Sequence, residues 1–263
     1  MTDLLRKMNT KVGTDGAVSY ELQLGERVID LNLLVGVPLS LSFTGRIFCV
    51  NCGRKTSKSF SQGYCYPCFS SLPETDMCIV KPEKCHFHLG SCRNESWGLE
   101  HCMIPHTVYL ANSSGLKVGI TRSHQKLKRW MDQGASQAIV LGETKNRLDS
   151  GMVEVAIAKL VPDKTNWRKM LQGSPVPLDL VKLKKDLLSQ ISPELPLDIR
   201  GDEIFEFSYP VIKYPEKLTS LDFEKNPSVN GILNGIKGQY LLLDSGVLNI
   251  RKFGGYEVTF EGC

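Results

Sequence analysis

The sequence predicts an α+β protein in which a cysteine-rich region and a compact ββαβα module lie between two β-rich segments. Three observations predict this class. Eight of the nine cysteines lie between Cys49 and Cys102. Hydrophobic and polar residues alternate near both ends of the chain, as they do in half-buried strands. Between residues 105 and 172, short strand and helix patterns follow one another at the spacing of one small module.

The length and composition are those of an ordinary globular protein. The 263 residues are 41% hydrophobic and 23% charged, which leaves room for two or three small domains. We expect an N-terminal β segment at 1–48, the cysteine-rich region at 49–104, the module at 105–172, an amphipathic helix and linker at 173–200, and a C-terminal β domain at 201–263. The N-terminus has no apolar signal region, and no run approaches 18 apolar residues. We therefore expect a cytoplasmic protein that does not contact a membrane.

The two terminal segments have strand patterns. Residues from Val18 to Leu24 alternate apolar and polar, and Leu39, Leu41 and Phe43 face one way in the run that leads into the cysteines. Residues 204–209 alternate in the same manner, and glycine-containing turns divide the rest of the C-terminal segment. This segment forms either a small barrel or a sheet shared with residues 17–48. The sequence leaves both arrangements open.

The first four cysteines have the spacing of a zinc ribbon. They read Cys49-x2-Cys52-x12-Cys65-x2-Cys68, and the thiolates of one CxxC knuckle can reach one tetrahedral ion. Disulfides would need an oxidising compartment, which the N-terminus does not indicate. An iron–sulfur cluster would also use four cysteines, but the paired knuckles with their adjacent glycines favour zinc. Four thiolates close the coordination sphere, so this zinc is expected to be structural.

The remaining cysteines form a less regular group. Cys78, Cys85, Cys92 and Cys102 do not have knuckle spacing, but zinc needs four convergent ligands rather than a fixed spacing. The histidines among them, which could replace one thiolate, are His86, His88 and His101. The alternative is four buried free thiols. We expect a second structural zinc here, because helix and strand signals are scarce in this region. Cys263 is expected to be an exposed thiol.

The central module is predicted from local patterns. Strands are expected at 107–111 and 116–120, a helix at 124–133, a strand at 137–141 and a helix at 152–160. Thr121 and Ser123 suit the start of the first helix, and Gly134 suits its end. A longer amphipathic helix comes next, with its apolar residues three and four positions apart at Leu180, Leu183, Leu187 and Ile191.

Basic residues are concentrated in two stretches. The formal net charge is only +4, but no acidic residue occurs between Leu31 and Pro73 or between His101 and Met131. The first stretch is explained equally well by nucleic acid or by the net charge of about −2 on a zinc ion bound by four thiolates. The second is typical of a surface that binds phosphodiesters; it contains Lys117, Arg122, Lys126, Lys128 and Arg129.

The module resembles a known superfamily. The segments that carry the resemblance are HTVYL, which begins at His106, KVGIT, which begins at Lys117, KRW, which ends at Trp130, and Glu154 further on. Over about residues 106–160 they are similar to the GIY-YIG nuclease superfamily. PEKCHFHLGSCR before the module and GIKGQYL after it also resemble a family of uncharacterised bacterial proteins known only as a domain of unknown function. This second resemblance spans most of the chain and implies no activity.

The GIY-YIG resemblance implies roles for individual residues. Glu154 would bind Mg²⁺ or Mn²⁺, Arg129 would clamp the phosphate, and Tyr109 would be the tyrosine of the first strand. Lys117 stands where the superfamily has its second tyrosine, so the acid/base role is open between Lys117, His106 and His124. A histidine often follows the arginine in the superfamily; this chain lacks it, and Asp132 or Gln133 stands near that position. The expected contacts to phosphate or nucleic acid are Gly119, Thr121, Arg122, Lys126 and Lys128.

Glu154 adds a physical argument of its own. The apolar residues around it in the sequence suggest burial, and a buried lone carboxylate is costly unless it is paired or bound to metal. Alternatively it caps its helix or faces solvent.

Taken together, these features predict a metal-dependent nuclease-like protein that acts on or binds DNA or RNA and contains one or two structural zinc ions. The alternatives are a zinc-containing nucleic-acid-binding protein without catalysis and a zinc-stabilised scaffold for protein interactions.

Overall fold

The computed structural model describes residues 2–262, which form two compact units. One unit contains the chain up to Ser70, the short segment Leu171–Gly173 and the chain from Phe207 onward. The other contains Ser71–Met170 and Ser174–Glu206. Cys263 lies outside the described residues. Within residues 2–262, no helix has the length and apolar character needed to cross a lipid bilayer.

The chain contains fifteen strands and seven α-helices within the described residues. The strands are β1 (Thr2–Leu4), β2 (Asn9–Val12), β3 (Val18–Leu24), β4 (Arg27–Asp30), β5 (Pro38–Phe48), β6 (Lys55–Thr56), β7 (His106–Asn112), β8 (Leu116–Arg122), β9 (Gln137–Thr144), β10 (Asp198–Ile199), β11 (Ile204–Glu206), β12 (Ser228–Lys237), β13 (Tyr240–Leu243), β14 (Gly246–Asn249) and β15 (Tyr256–Gly262). The helices are α1 (Tyr66–Ser71), α2 (Met77–Val80), α3 (Glu95–His101), α4 (Lys126–Asp132), α5 (Arg147–Ile157), α6 (Trp167–Leu171) and α7 (Leu180–Leu188).

The first unit is built on antiparallel sheets. A seven-stranded sheet has the order β1-β15-β5-β12-β13-β14, with β6 paired to β5, and a second sheet has the order β2-β3-β4. Strand β5 pairs with both β12 and β15. The N-terminal and C-terminal segments therefore share one sheet, which is one of the two arrangements that the sequence left open.

The alternation of apolar residues explains which faces of these strands are buried. Side chains of a strand point alternately to opposite faces, and in β3 the residues Val18, Tyr20, Leu22 and Leu24 are all buried. In the large sheet, Phe260 of β15 lies opposite Leu41 of β5, so apolar residues from the two ends of the chain share one core.

The second unit contains the ββαβα module. Its five-stranded sheet has the order β10-β9-β7-β8, with β11 also paired to β9. Strands β7 and β8 form a regular hairpin, followed by α4, β9 and α5 as the sequence predicts. One face of the sheet and the adjacent helices form a hydrophobic core, whose buried members are Val108, Leu110, Val118, Ile120, Ile139, Leu141, Val153, Ile157, Val161, Leu180 and Leu187.

Some predicted boundaries were wrong. Helix α5 begins at Arg147 instead of residue 152, because the side chain of Asn146 caps it by accepting a hydrogen bond from the backbone N–H of Asp149. The strand predicted at 204–209 is shorter, since only Ile204–Glu206 is in regular pairing, and it pairs with β9 in the second unit. Helix α7 ends at Leu188, before Ile191.

The cysteine-rich region contributes to both units. Residues 49–68 lie in the first unit and residues 78–102 in the second. The second part contains more helix than the sequence suggests, in α2, α3 and several short 3-10 turns. These elements are too short to bury a large core of their own, and Cys78, Cys85 and Cys102 are buried among Phe87, Trp97 and Leu148.

Candidate functional site

The first four cysteines converge in the first unit. The sulfur atoms of Cys49, Cys52, Cys65 and Cys68 all lie within 4.8 Å of one another, and those of Cys52 and Cys65 are 3.7 Å apart. Thiolates bound to zinc at about 2.3 Å stand about 3.8 Å apart at the corners of a tetrahedron. The four thiols therefore have the spacing that a zinc ion requires, and together they could bind one.

Turns of the backbone bring the two knuckles together. The N–H of Cys49 donates to the carbonyl of Arg54, and the N–H of Gly53 donates to the carbonyl of Cys49, with Gly53 at a φ of +69°. Burial raises the pKa of Cys49, but hydrogen bonds from the backbone N–H groups of Cys52, Cys65 and Asn51 outweigh it and lower the pKa to about 6. Cys49 therefore favours the thiolate, which is the form that binds metal. The side chain of Asn51 lowers the pKa of Cys68, but burial and the other three thiols outweigh it and raise that pKa to about 12.

In the second unit, Tyr109 and Lys117 meet at the side chain of Gln133. The hydroxyl of Tyr109 and the Nζ of Lys117 each donate to the Oε1 of Gln133 at 3.0 Å. The hairpin register places Tyr109 opposite Gly119, and a Cβ at Gly119 would lie 2.6 Å from the tyrosine hydroxyl. Glycine at this position therefore allows the phenol to lie across β8. Lys117 also donates to the Oγ1 of Thr165, at 3.4 Å.

Arg129 joins the same cluster from α4. Its guanidinium donates to the phenolic oxygen of Tyr109. Its Nε, in contrast, is buried without a hydrogen-bond partner among the described residues. A buried guanidinium donor that lacks an acceptor costs free energy, and an anion such as a phosphate oxygen would supply the acceptor.

Glu154 lies within electrostatic range of these cations. Burial, and then the charge of Asp163, raise the pKa of Glu154, while Lys117 and Arg129 oppose the shift. The apolar surroundings suggested by the sequence are only partial, because Met152 and Val155 on the same helix are exposed. Glu154 is half-buried, and its environment holds both positive charges and a second carboxylate.

The cluster changes the ionisation of its members. Burial, and then the charge of Arg129, lower the pKa of Lys117 to about 8, although Glu154 and Asp163 raise it. Burial raises the pKa of Tyr109 and thereby keeps its hydroxyl protonated at neutral pH. The cluster of Tyr109, Lys117, Arg129, Gln133 and Glu154, called here the β8 cluster, therefore presents hydrogen-bond donors and cations beside carboxylates.

Other residues predicted for phosphate or nucleic acid are not part of the β8 cluster. Lys117, Gly119 and Thr121 lie on one face of β8, whereas Arg122 falls on the opposite face with Val118 and Ile120. The guanidinium of Arg122 lies 5.9 Å from the centre of the Trp97 ring. Arg122 is therefore not a member of the β8 cluster, because adjacent residues of a strand point to opposite faces, and its assignment to phosphate binding stays a prediction.

The remaining basic residues lie elsewhere on the module. The Nζ of Lys126 lies 5.4 Å from the centre of the Phe205 ring, and its charge helps to lower the pKa of Glu143. Lys128 is half-buried and Thr121 is buried.

Two histidines were considered for acid/base chemistry, and neither lies beside Tyr109 on its strand face. His106 is fully buried and lies on the face of β7 opposite to Tyr109; its Nδ1 is 2.7 Å from the carbonyl oxygen of Ile104. Burial lowers its pKa to about 4, which leaves it neutral. The hypothesis that His106 acts in the β8 cluster was therefore wrong. His124 is exposed.

Three residues were not assigned to this site from the sequence. Gln133 was noted only as lying near the position of the superfamily's histidine; it follows Arg129 by one helical turn, and this i, i+4 spacing could have assigned it to the site. Asp163 and Thr165 belong to the segment after α5, where the N–H of Val118 donates to the carbonyl of Pro162 at 2.8 Å. That backbone hydrogen bond attaches the segment to β8, which no local pattern indicated.

The second group of cysteines gathers around a cavity in the same unit. Cys78, Cys85, Cys92 and Cys102 line a cavity of about 10 Å³. The neighbouring thiols of Cys102 and Cys78 lower the pKa of Cys85, although burial opposes this shift.

The nearby histidines have other contacts or are exposed. His101 stacks on Trp97 with ring centres 4.3 Å apart, and His88 is exposed. His86 lies near Asp76 and Cys78, and its Nδ1 is 2.9 Å from the hydroxyl of Ser91.

A family model matches most of this chain. The sequence model of a family described as "Protein of unknown function (DUF2797)" matches residues 36–258. Neither the curated proteins nor the solved structures contain a match to this chain.

Proposed function

The chain belongs to the DUF2797 family of proteins of unknown function, and we propose that it is a nuclease-like protein whose β8 cluster binds a nucleic-acid phosphodiester. The observation that carries this proposal is the convergence of Tyr109, Lys117 and Arg129 on one site, in which the Nε of Arg129 has no acceptor within residues 2–262. A phosphate oxygen is the acceptor that such a group of donors and cations favours.

The residues fit distinct parts of phosphodiester chemistry. Arg129 stabilises negative charge on the phosphate, and the protonated hydroxyl of Tyr109 orients its guanidinium. Lys117 has a pKa of about 8, so at neutral pH both its charged and neutral forms are populated. It can therefore donate to the phosphate or accept a proton from an attacking water.

The carboxylates fit a divalent cation. Glu154 is half-buried, and the neighbouring charge of Asp163 raises its pKa, a conflict between like charges that a cation relieves. Oxygen ligands are those that Mg²⁺ and Mn²⁺ prefer, so Glu154, with Asp163 nearby, would hold the ion. When bound, such an ion would neutralise charge on the phosphate and the leaving oxygen.

One observation favours a second function, which is nucleic-acid binding without cleavage. Lys117 occupies the position at which the resembled superfamily has a tyrosine, and it is held by Gln133 and Thr165. These hydrogen bonds hold the ammonium group of Lys117 in place, which favours phosphate binding by a fixed positive charge over proton transfer.

For either function, we propose that Cys49, Cys52, Cys65 and Cys68 hold a structural zinc ion, which has no free coordination position for a substrate.

Cleavage of labelled nucleic acids tests the catalytic proposal. Purified protein is incubated with Mg²⁺ or Mn²⁺ and with single- and double-stranded DNA and RNA. We expect metal-dependent cleavage by the wild type and by Glu194→Ala, which removes an exposed carboxylate from the same unit, but none by Glu154→Ala. Absence of cleavage by the wild type in all combinations, or equal cleavage by Glu154→Ala, would remove the nuclease function and leave the binding function to be tested separately.

A further inference from the structure

The second group of cysteines surrounds one enclosed space. Cys78, Cys85 and Cys102 are buried and belong to one packed cluster. Cys92 lines the same cavity. The cavity of about 10 Å³ is close to the space that a single water molecule needs, so one small ion fits there.

Helix α3 contributes to this arrangement through a glycine. A Cβ at Gly98 would lie 2.6 Å from Cδ2 of Phe87 and 3.2 Å from the sulfur of Cys92. The absence of a side chain at Gly98 therefore lets α3 approach the cysteines. The carbonyl of Gly98 also accepts a hydrogen bond from the N–H of Cys102, which caps the end of the helix.

The start of α5 is attached to the same cysteines. The backbone N–H of Arg147 donates to the carbonyl of Cys102 at 2.8 Å, and its Nε donates to the carbonyl of Cys78 at 3.1 Å. Its Nη2 donates to the carbonyl of Ile79 at 2.6 Å. Two residues of the cysteine group are thus hydrogen-bonded to the first residue of the helix that carries Glu154.

Close packing strengthens this attachment. A Cβ at Gly151 would lie 2.3 Å from the backbone nitrogen of Glu83, so α5 lies directly against the 3-10 turn Pro82–Lys84. Leu148 packs against the buried cysteines. The turn lies between Cys78 and Cys85 in the sequence, so the position of these cysteines affects the surface on which the start of α5 packs.

Two cationic side chains lie beside the cysteines. The guanidinium of Arg147 donates to the carbonyls of Cys78 and Ile79. That of Arg122 lies 5.9 Å from the centre of the Trp97 ring, and Trp97 lines the same cavity as the cysteines. Four thiolates around Zn²⁺ carry a net charge of about −2, which compensates these cations better than four neutral thiols would.

We propose that Cys78, Cys85, Cys92 and Cys102 bind a second zinc ion, and that this ion holds the start of α5 in place and thereby positions Glu154. The proposed zinc site does not depend on the function proposed for the β8 cluster. Only the consequence for Glu154 rests on the proposed function. Glu154 is not one of the proposed zinc ligands.

A different ligand set lies nearby. Among the described residues, the ligand atoms of Asp76, Cys78 and His86 lie within 4.8 Å of one another, whereas the four sulfur atoms of the second cysteine group do not all lie that close, so zinc binding would draw the thiols together. The carboxylate of Asp76, however, accepts a hydrogen bond from the N–H of Cys78 and pairs with the Nε of Arg93 at 2.7 Å. These contacts engage the carboxylate. The thiol of Cys92 donates only its proton, to the carbonyl of Asn94 at 3.3 Å, and metal binding removes that proton, so the thiolate of Cys92 is assigned as the fourth ligand.

Zinc content of the purified full chain tests the site itself. Elemental analysis is expected to give two zinc ions per chain in the wild type and in Glu154→Ala, and one in Cys92→Ser and Cys102→Ser. Cys52→Ser serves as the matched control, because it removes a thiol from the first site and is expected to retain the second ion. Cobalt substitution of Cys52→Ser should then show thiolate-to-cobalt charge transfer from the remaining site.

Each contrary result has a defined meaning. One zinc ion in the wild type, or no cobalt–thiolate absorption in Cys52→Ser, overturns the second site. Loss of the ion in His86→Ala but not in Cys92→Ser overturns the assigned ligand set. Because Glu154→Ala is expected to keep both ions, failure of the metal site and failure of the nuclease proposal are distinguishable.

Hydrogen exchange tests the link to α5. Cys92 is the partly exposed member of the set. In the Cys92→Ser variant, we expect the amides of the first turns of α5 to exchange at least roughly tenfold faster than in the wild type. The amides of β3, which lies in the other unit, serve as the internal reference. Unchanged exchange in α5 despite loss of the ion would overturn the positioning role while leaving the zinc site intact.

Discussion

The hydroxyl of Tyr109 lies 2.6 Å from the position that a Cβ would take on Gly119, so the buried phenol occupies the space that glycine leaves open. These two residues face each other across the hairpin of β7 and β8. The same hydroxyl donates to Gln133 and accepts a hydrogen bond from Arg129. The absence of one side chain in β8 therefore fixes the tyrosine around which the β8 cluster is assembled.

Gly119→Ala should displace Tyr109. The added methyl group overlaps the hydroxyl in a well-packed site, so we expect a loss of about 1–3 kcal/mol in the free energy of unfolding. Gly201→Ala is the matched control, because a Cβ there meets no atom within 4 Å. Urea unfolding measures both variants. Equal stability of the two would contradict the packing described for Tyr109.

Gln133→Leu should destabilise the cluster without changing its net charge. The substitution leaves the hydroxyl of Tyr109 and the Nζ of Lys117 without their shared acceptor, which costs roughly 1–3 kcal/mol for a buried polar group. Gln125→Leu is the control, since Gln125 is exposed and its side chain does not cap α4. Thermal unfolding distinguishes the two. A Gln133→Leu protein as stable as Gln125→Leu would show that these hydrogen bonds contribute little.

The pH dependence of nucleic-acid binding reports on Lys117. Its pKa of about 8 means that the free protein loses this positive charge as the pH rises through 8. A bound phosphate favours the charged form, so the affinity should fall by up to about tenfold between about pH 7 and about pH 9. Lys117→Met should bind more weakly, with little pH dependence in this window, in a fluorescence anisotropy titration.

The opposite pH dependence would identify a different role. If Lys117 accepts a proton from the attacking water, the cleavage rate rises across the same window, because the neutral lysine is the active form. Lys117→Tyr restores the residue type of the resembled superfamily and should move or abolish this rise. A wild-type profile identical to that of Lys117→Met would exclude both roles.

Removal of the first zinc should destabilise the unit that contains it. Cys49→Ser takes one ligand from the tetrahedral set, and we expect a loss of at least roughly 3 kcal/mol in stability, since a structural zinc contributes directly to folding. Calorimetry with and without a chelator measures the effect. Added zinc should restore the chelated wild type but not the variant, and a chelated wild type with unchanged melting would argue against a structural ion.

Local patterns explain which parts of the site could be predicted. The CxxC spacing and the hairpin of β7 and β8 depend on neighbouring residues, and both are present in the structure. The start of α5 was also encoded locally, because Asn146 and Asp149 have the spacing of a helix cap. The alternation of β8 also separates Arg122 from Lys117, which the concentration of basic residues in the sequence did not indicate.

Other features depend on contacts that no local pattern contains. Asp163 and Thr165 reach the β8 cluster because their segment bonds to the edge of β8. Strand β11 pairs with β9 across a separation of more than sixty residues. The sharing of one sheet by β5 and β15 likewise brings the two ends of the chain together. Such pairings are determined by tertiary packing, which local propensity does not encode.

The most direct test of the central claim is nucleic-acid binding at low salt by a variant that combines Lys117→Met with Arg129→Lys. The same two substitutions at the exposed residues Lys169 and Arg168 provide a control of equal net charge. We predict that the wild type and the control bind with similar affinity, and that the β8-cluster variant loses at least roughly tenfold in affinity. Absence of binding by the wild type, or equal binding by both variants, would contradict the claim that the β8 cluster binds phosphodiesters.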